Sequence, residues 1–174
     1  MTRQELISKH AAYSIVLLIL FIFQTCGNNL KFNNVFEPDL ILGFIIAAAM
    51  WEGELFGLVY GLAGGMLCDV LGSCPGYFAL VYMILGYGVA LIIKFLVVNS
   101  IKSYLIICIS AFVLVSLMTF FFMHLIWGQG GFLELIINVI FKRGLATLLM
   151  GAGIYYLLGK LSEKLSYRGG TDEF

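Results

Sequence analysis

The chain has 174 residues, 61% of them hydrophobic and 11% charged, and a mean hydropathy of +1.02. About a quarter of residues are charged in soluble domains, so this composition excludes an ordinary soluble fold and places the chain in a bilayer. Ten basic residues balance ten acidic ones, and no basic stretch exceeds Lys142-Arg143, which excludes a nucleic-acid footprint and a polybasic lipid anchor.

Uncharged runs mark the spanning segments, because a helix needs about 20 mostly apolar residues to cross. The first, residues 11–30, follows Arg3 and Lys9 and begins like a signal peptide. Phe23-Gln24-Thr25-Cys26 offers no small-residue cleavage site, so the segment reads as an uncleaved helix. The second and third, residues 38–52 and 54–71, are shorter; their uncharged cores, 40–51 and 55–68, rise only about 18 and 21 Å. They are expected to form a tight pair, started by Pro38 and Asp39 at one surface and joined through Glu52-Gly53-Glu54 at the other.

Residues 76–98 and 103–127 give full-length fourth and fifth spans. Glu134, Asn138 and Lys142 then recur every four residues opposite Leu133, Ile136, Ile137, Ile140 and Phe141. That pattern predicts an interfacial amphipathic helix over 132–142, followed by a sixth span over 144–161. The rival is one long tilted helix with Lys142 and Arg143 at membrane depth, which is costly without partners. The expected fold is an all-α integral membrane protein, a single six-helix bundle. With the N-terminus inside, Arg3, Lys9, Lys94, Lys102, Lys160, Lys164 and Arg168 are cytoplasmic and only Lys31, Lys142 and Arg143 are outside, so both termini are expected in the cytoplasm.

Gly57, Gly61, Gly65 and Asp69 recur every four residues and share one face of the third helix. Glycines so spaced form a groove for close helix packing, either within the chain or with a partner. Asp69 falls near the outer surface, with Gln24, His124 and Arg143 at similar depth. This outer polar cluster reads either as a satisfied pair that fixes helix register or as a docking point. No HExxH, GxSxG, GxGD, P-loop or GxGxxG pattern occurs, so no catalytic, cofactor-binding or metal-binding residue is assigned. A nucleophile site would have to use Ser73 or Cys74 with His124 and Asp69. Cys26, Cys68, Cys74 and Cys108 form no CxxC pair and read as free thiols. Trp51, Trp127, Tyr77 and Tyr104 read as interfacial anchors.

Pro38-Asp39-Leu40, then Gly57, Gly61-Leu62, Gly65 and Asp69, then Gly76 with Phe78-Ala79-Leu80 and Gly86-Tyr87 resemble the MreD family of rod-shape-determining membrane proteins over roughly residues 35–90. The resemblance implies six helices in a fold related to the substrate-binding subunits of energy-coupling-factor vitamin transporters, with no catalytic activity. It also implies residence in the bacterial cytoplasmic (inner) membrane. The implied partner is MreC, a bitopic protein, and through it the MreB filament and the peptidoglycan synthases. Pro38, Gly57, Gly61, Gly65, Asp69, Gly76 and Gly86 fall on family-like positions. The short second helix and the acidic turn at Glu52 and Glu54 depart from the pattern. The alternative is a vitamin-binding transporter subunit, which would enclose a polar cavity; the A-x-x-x-A docking motif common in the first helix of such subunits is replaced here by leucine and isoleucine. Bound membrane lipid and self-association are left open by the sequence.

Overall fold

The computed structural model describes residues 3–29, 38–71, 76–96, 100–127 and 143–167. Among them the chain is all-helical: α1 (Arg3–Asn29), α2 (Leu40–Glu52), α3 (Glu54–Leu71), α4 (Tyr77–Leu96), α5 (Ile101–Trp127) and α6 (Gly144–Tyr167). Four of the six are long and apolar enough to cross a membrane, through Ile7–Cys26, Tyr77–Phe95, Ile101–Phe122 and Gly144–Glu163, and α2 is a shorter apolar helix. The amphipathic helix expected over 132–142 lies outside the described residues. Two helices outrun their expected bounds, α1 starting at Arg3 and not near residue 11, and α6 continuing to Tyr167 past residue 161. Hydropathy ends a span at the first charge, whereas a helix continues through a charge that finds a counterion.

The centre of the bundle is α2, buried at every residue from Leu40 to Met50. A helix that is apolar all round has no stripe to present to water and belongs inside a larger packing. Each of the other five helices packs against it. Their outward faces are apolar as well: Leu55, Val59, Leu62, Met66 and Val70 line the outside of α3, and Ile106, Leu117 and Phe121 the outside of α5. Large exposed apolar faces of this kind suit hydrocarbon, not water.

The closest helix pair is α3 with α4. An ideal Cβ placed on Gly57 would lie 2.6 Å from the Gly86 carbonyl oxygen. One on Gly61 would overlap the Tyr82 carbonyl, one on Gly65 the backbone of Phe78 and Ala79, and one on Gly86 the Gly57 carbonyl. The glycine stripe is therefore filled by the chain's own α4, where only the absence of side chains lets two backbones meet. Gly53, at φ +86°, closes α2 and turns the chain into α3, and its N–H donates to the Ala49 carbonyl at 3.2 Å; a left-handed residue is the usual way to stop a helix abruptly.

On the other side of α2, the Tyr104 hydroxyl donates to the Gly43 carbonyl at 3.2 Å, and the Tyr104 ring packs on Tyr155 with centroids 4.9 Å apart. Gly151 approaches the same hydroxyl so closely that a Cβ there would lie 2.6 Å from it. Further along, a Cβ on Gly144 would lie 3.2 Å from the Phe112 ring. The first residue of α6 thus sits beside the middle of α5. From Phe112 to Trp127, α5 runs on past it for about 22 Å at 1.5 Å per residue.

Candidate functional site

Both ends of α2 are buried, and each has gathered polar side chains. The first four N–H groups of a helix have no partner within it, and in hydrocarbon no water can supply one. At the start of α2, Asp39 is the N-cap, and its Oδ1 accepts from the Leu42 N–H at 3.1 Å. Gln24, reaching over from α1, accepts with Oε1 from the N–H groups of Leu40 at 3.0 Å and Ile41 at 3.2 Å. The Gly43 N–H donates to the Asp39 carbonyl at 3.3 Å. All four donors are thereby taken by the chain itself.

The same capping group ties in two more helices. The Tyr82 hydroxyl of α4 donates to Asp39 Oδ2 at 2.6 Å, and the Asp39 N–H donates to the Thr147 hydroxyl oxygen of α6 at 2.9 Å. Thr147 in turn donates to the Arg143 carbonyl at 2.8 Å. Pro38 precedes this N-cap, so the expected Pro38-Asp39 helix start marks a junction of four helices.

Asp69 serves a different helix end. Its Oδ1 accepts from the Phe78 N–H and its Oδ2 from the Ala79 N–H, both at 2.9 Å. The glycine stripe explains the placement: Gly65 already lies against Ala79, and one further turn of α3 brings residue 69 to the start of α4. A carboxylate there meets unsatisfied donors and the positive end of the helix dipole. Gln24 and Asp69, expected in one outer cluster, therefore cap α2 and α4 separately. Of the remaining two, Arg143 joins the Asp39 group through its carbonyl, and the side chain of His124 lies outside the described residues. Ser73 and Cys74 lie outside them too.

The second cluster, at the far end of α2, was not legible in the sequence. Lys9 Nζ stands 2.7 Å from Glu52 Oε1, with the two side chains 8% and 7% exposed. The same oxygen accepts from the Tyr13 hydroxyl at 2.8 Å and from Ser162 of α6 at 3.4 Å. Beside it, the His10 ring stacks on Phe56 with centroids 3.8 Å apart, and His10 Nδ1 is 2.9 Å from the Tyr60 hydroxyl. His10 Nε2 and Trp51 Nε1 are buried with no hydrogen-bond partner among the described residues. The sequence placed Lys9 on the cytoplasmic side, ahead of the first span, and singled out no partner for it. The one available signal was the spacing of Lys9 and Tyr13, four residues apart and hence on one helix face.

Among the described residues no group of three or more His, Cys, Asp or Glu is arranged to hold a metal ion. Cys26 is exposed, Cys68 half-buried and Cys108 buried, all as free thiols. A lateral groove of about 200 Å³ opens between α5 and α6, lined by Cys108, Phe112, Val113, Gly144, Leu145 and Leu148 among others. Its one polar lining group, Thr147, has its hydroxyl engaged by Asp39 and Arg143. The arrangement supports helix joining, through caps and an ion pair, and offers an apolar slot at the side. Compared with protein-family models, with curated proteins and with solved structures, the chain matches none.

Proposed function

We propose that the chain is a non-enzymatic scaffold subunit of the bacterial cell-wall elongation machinery, of the MreD kind. In this reading it spans the cytoplasmic membrane six times with both termini inside and an interfacial helix over 132–142. Its architecture is like that of energy-coupling-factor substrate-binding subunits. It holds a bitopic MreC-like protein, and through it helps position MreB and the peptidoglycan synthases.

The observation that carries this reading is the closed start of α2. In a subunit built to capture an anionic small molecule, the free N–H groups at the start of a short buried helix are the natural donors to the ligand. Here Gln24 and Asp39 occupy those donors, which favours a structural centre over a vitamin site. The resemblance over residues 35–90 supplies the identity of the partner. Because Gly57, Gly61, Gly65 and Gly86 are already filled by α3–α4 packing, the partner's span docks on an outward apolar face and not in the glycine groove.

Purification in mild detergent, with and without a co-expressed MreC-like protein, tests the proposal. The bitopic protein is expected to co-elute with the full chain. Its loss, together with retention of a vitamin by the chain, overturns the reading in favour of the transporter subunit.

A further inference from the structure

The head of α1 meets α3 through aromatic rings. His10 stacks on Phe56 with centroids 3.8 Å apart and planes 20° from parallel, and the Tyr13 and Tyr60 rings lie 5.9 Å apart. His10 adds a polar contact: its Nδ1 is 2.9 Å from the Tyr60 hydroxyl, which is in turn 3.4 Å from the His10 carbonyl oxygen. A neutral imidazole donates through one nitrogen and accepts through the other. With the proton on Nδ1 the group closes on itself, Nδ1–H donating to the Tyr60 oxygen and the Tyr60 hydroxyl donating to the His10 carbonyl. Nε2, buried and without a partner among the described residues, is then a bare lone pair, and no donor is stranded.

A second proton changes the balance. It goes to Nε2, and the imidazolium carries a buried N–H with nothing among the described residues to accept it. The new charge also adjoins a cation, because Lys9 is the preceding residue and its ammonium is held inside the bundle. The carboxylate facing this cluster from α2 is Glu52, whose Oε1 already accepts from Lys9, from Tyr13 and from Ser162 of α6. Glu54, at the start of α3, is paired with Lys94 of α4. The remaining titratable neighbours, Tyr13 of α1 and Tyr60 of α3, are phenols engaged in hydrogen bonds. We infer that His10 is an acid-released latch: neutral, it fastens the head of α1 to Phe56 and Tyr60 of α3, and its protonation loosens that end of α1 while Gln24 holds the other. By the proposed topology this end faces the cytoplasm, so the latch answers to cytoplasmic pH. Its test in detergent depends neither on that topology nor on the identity of the partner.

The test is thermal melting of the full chain in one detergent at pH 7.5 and pH 5.5, on either side of the point near pH 6.5 where an imidazole ordinarily charges. Two variants remove the titration. His10→Asn keeps a hydrogen-bonding group near the Nδ1 position and His10→Phe keeps the stack on Phe56, so that either serves if the other fails to fold. The unaltered chain is expected to lose about 2–4 °C more on acidification than the variant, the scale of one stranded donor in a chain of this size. A second readout separates a latch from general weakening by acid. A nitroxide is attached through Ile7→Cys, where Ile7 is 65% exposed, in a chain whose four native cysteines are replaced by serine. Its electron paramagnetic resonance spectrum should show faster motion at pH 5.5 when His10 is present and no change in the His10 variant. A melting temperature that falls equally in the unaltered chain and the variant overturns the inference. So does a label whose motion is the same at both pH values, or changes equally with and without His10.

Discussion

Lys9 of α1 and Glu52 of α2 form an ion pair at 2.7 Å with both side chains more than nine-tenths buried. At the opposite end of the same two helices, Gln24 caps Leu40 and Ile41. The two fastenings are a helix length apart: α2 has 13 residues, about 20 Å. They fix the register of α1 along α2. Removing one member of a buried pair strands the other charge, which costs about 3–5 kcal/mol. Lys9→Met alone and Glu52→Gln alone are each expected to lower the melting temperature in detergent sharply. The double variant is expected to recover much of the loss; a double variant that falls by the sum of the singles would mean the two residues act independently.

Asp69 holds the first N–H groups of α4 with both carboxylate oxygens. Loss of such a cap costs about 0.5–2 kcal/mol. Asp69→Ala should lower the yield of folded protein, and Asp69→Asn, with one acceptor left, should lower it less. Unchanged yield with a lost partner would instead make Asp69 a docking residue.

The α3–α4 contact separates glycines that matter from those that do not. Gly61→Ala and Gly65→Ala place a methyl group into the α4 backbone and are expected to cost about 1–3 kcal/mol as overpacking. Gly88 and Gly153 face open space. Gly88→Ala and Gly153→Ala are expected to be neutral, or to stabilise by up to about 1 kcal/mol through helix propensity. Thermal melting of the four variants in one detergent checks the split.

Gly151→Ala meets a different obstacle, the hydroxyl of Tyr104, which a Cβ would approach to 2.6 Å. The clash is with one atom, so Tyr104→Phe should relieve it. That change forfeits the hydrogen bond to the Gly43 carbonyl, worth about 0.5–1.5 kcal/mol. In the Gly151→Ala background, Tyr104→Phe is expected to raise the melting temperature; in the unaltered chain it is expected to lower it.

The helices and the face of α3 were legible in the sequence because both are written in local periodicity. The uncharged run of residues 40–51 already marked a short helix paired with the next, though not that it is buried on every side, and Gly57, Gly61 and Gly65 already marked a face for close packing. Their partners were not legible. Asp69 bonds to backbone N–H groups of Phe78 and Ala79, and a backbone donor has no side-chain signature in sequence. Lys9 read as the charge that ends a span because its counterion, Glu52, stands 43 positions away. Gln24 was placed at the correct end of α1, but only the structure distinguishes the start of α2 from the start of α4.

The central claim, a self-closed bundle that works by holding a protein partner, is tested most directly by ligand-linked stability. Anything that binds the folded state raises its melting temperature, by the equivalent of about 2.7 kcal/mol at a hundred times its dissociation constant. The full chain would be melted in detergent alone, with a purified MreC-like bitopic protein, and with a panel of vitamins. The account expects a rise with the bitopic protein and none with any vitamin. A rise with a vitamin and none with the bitopic protein would contradict it.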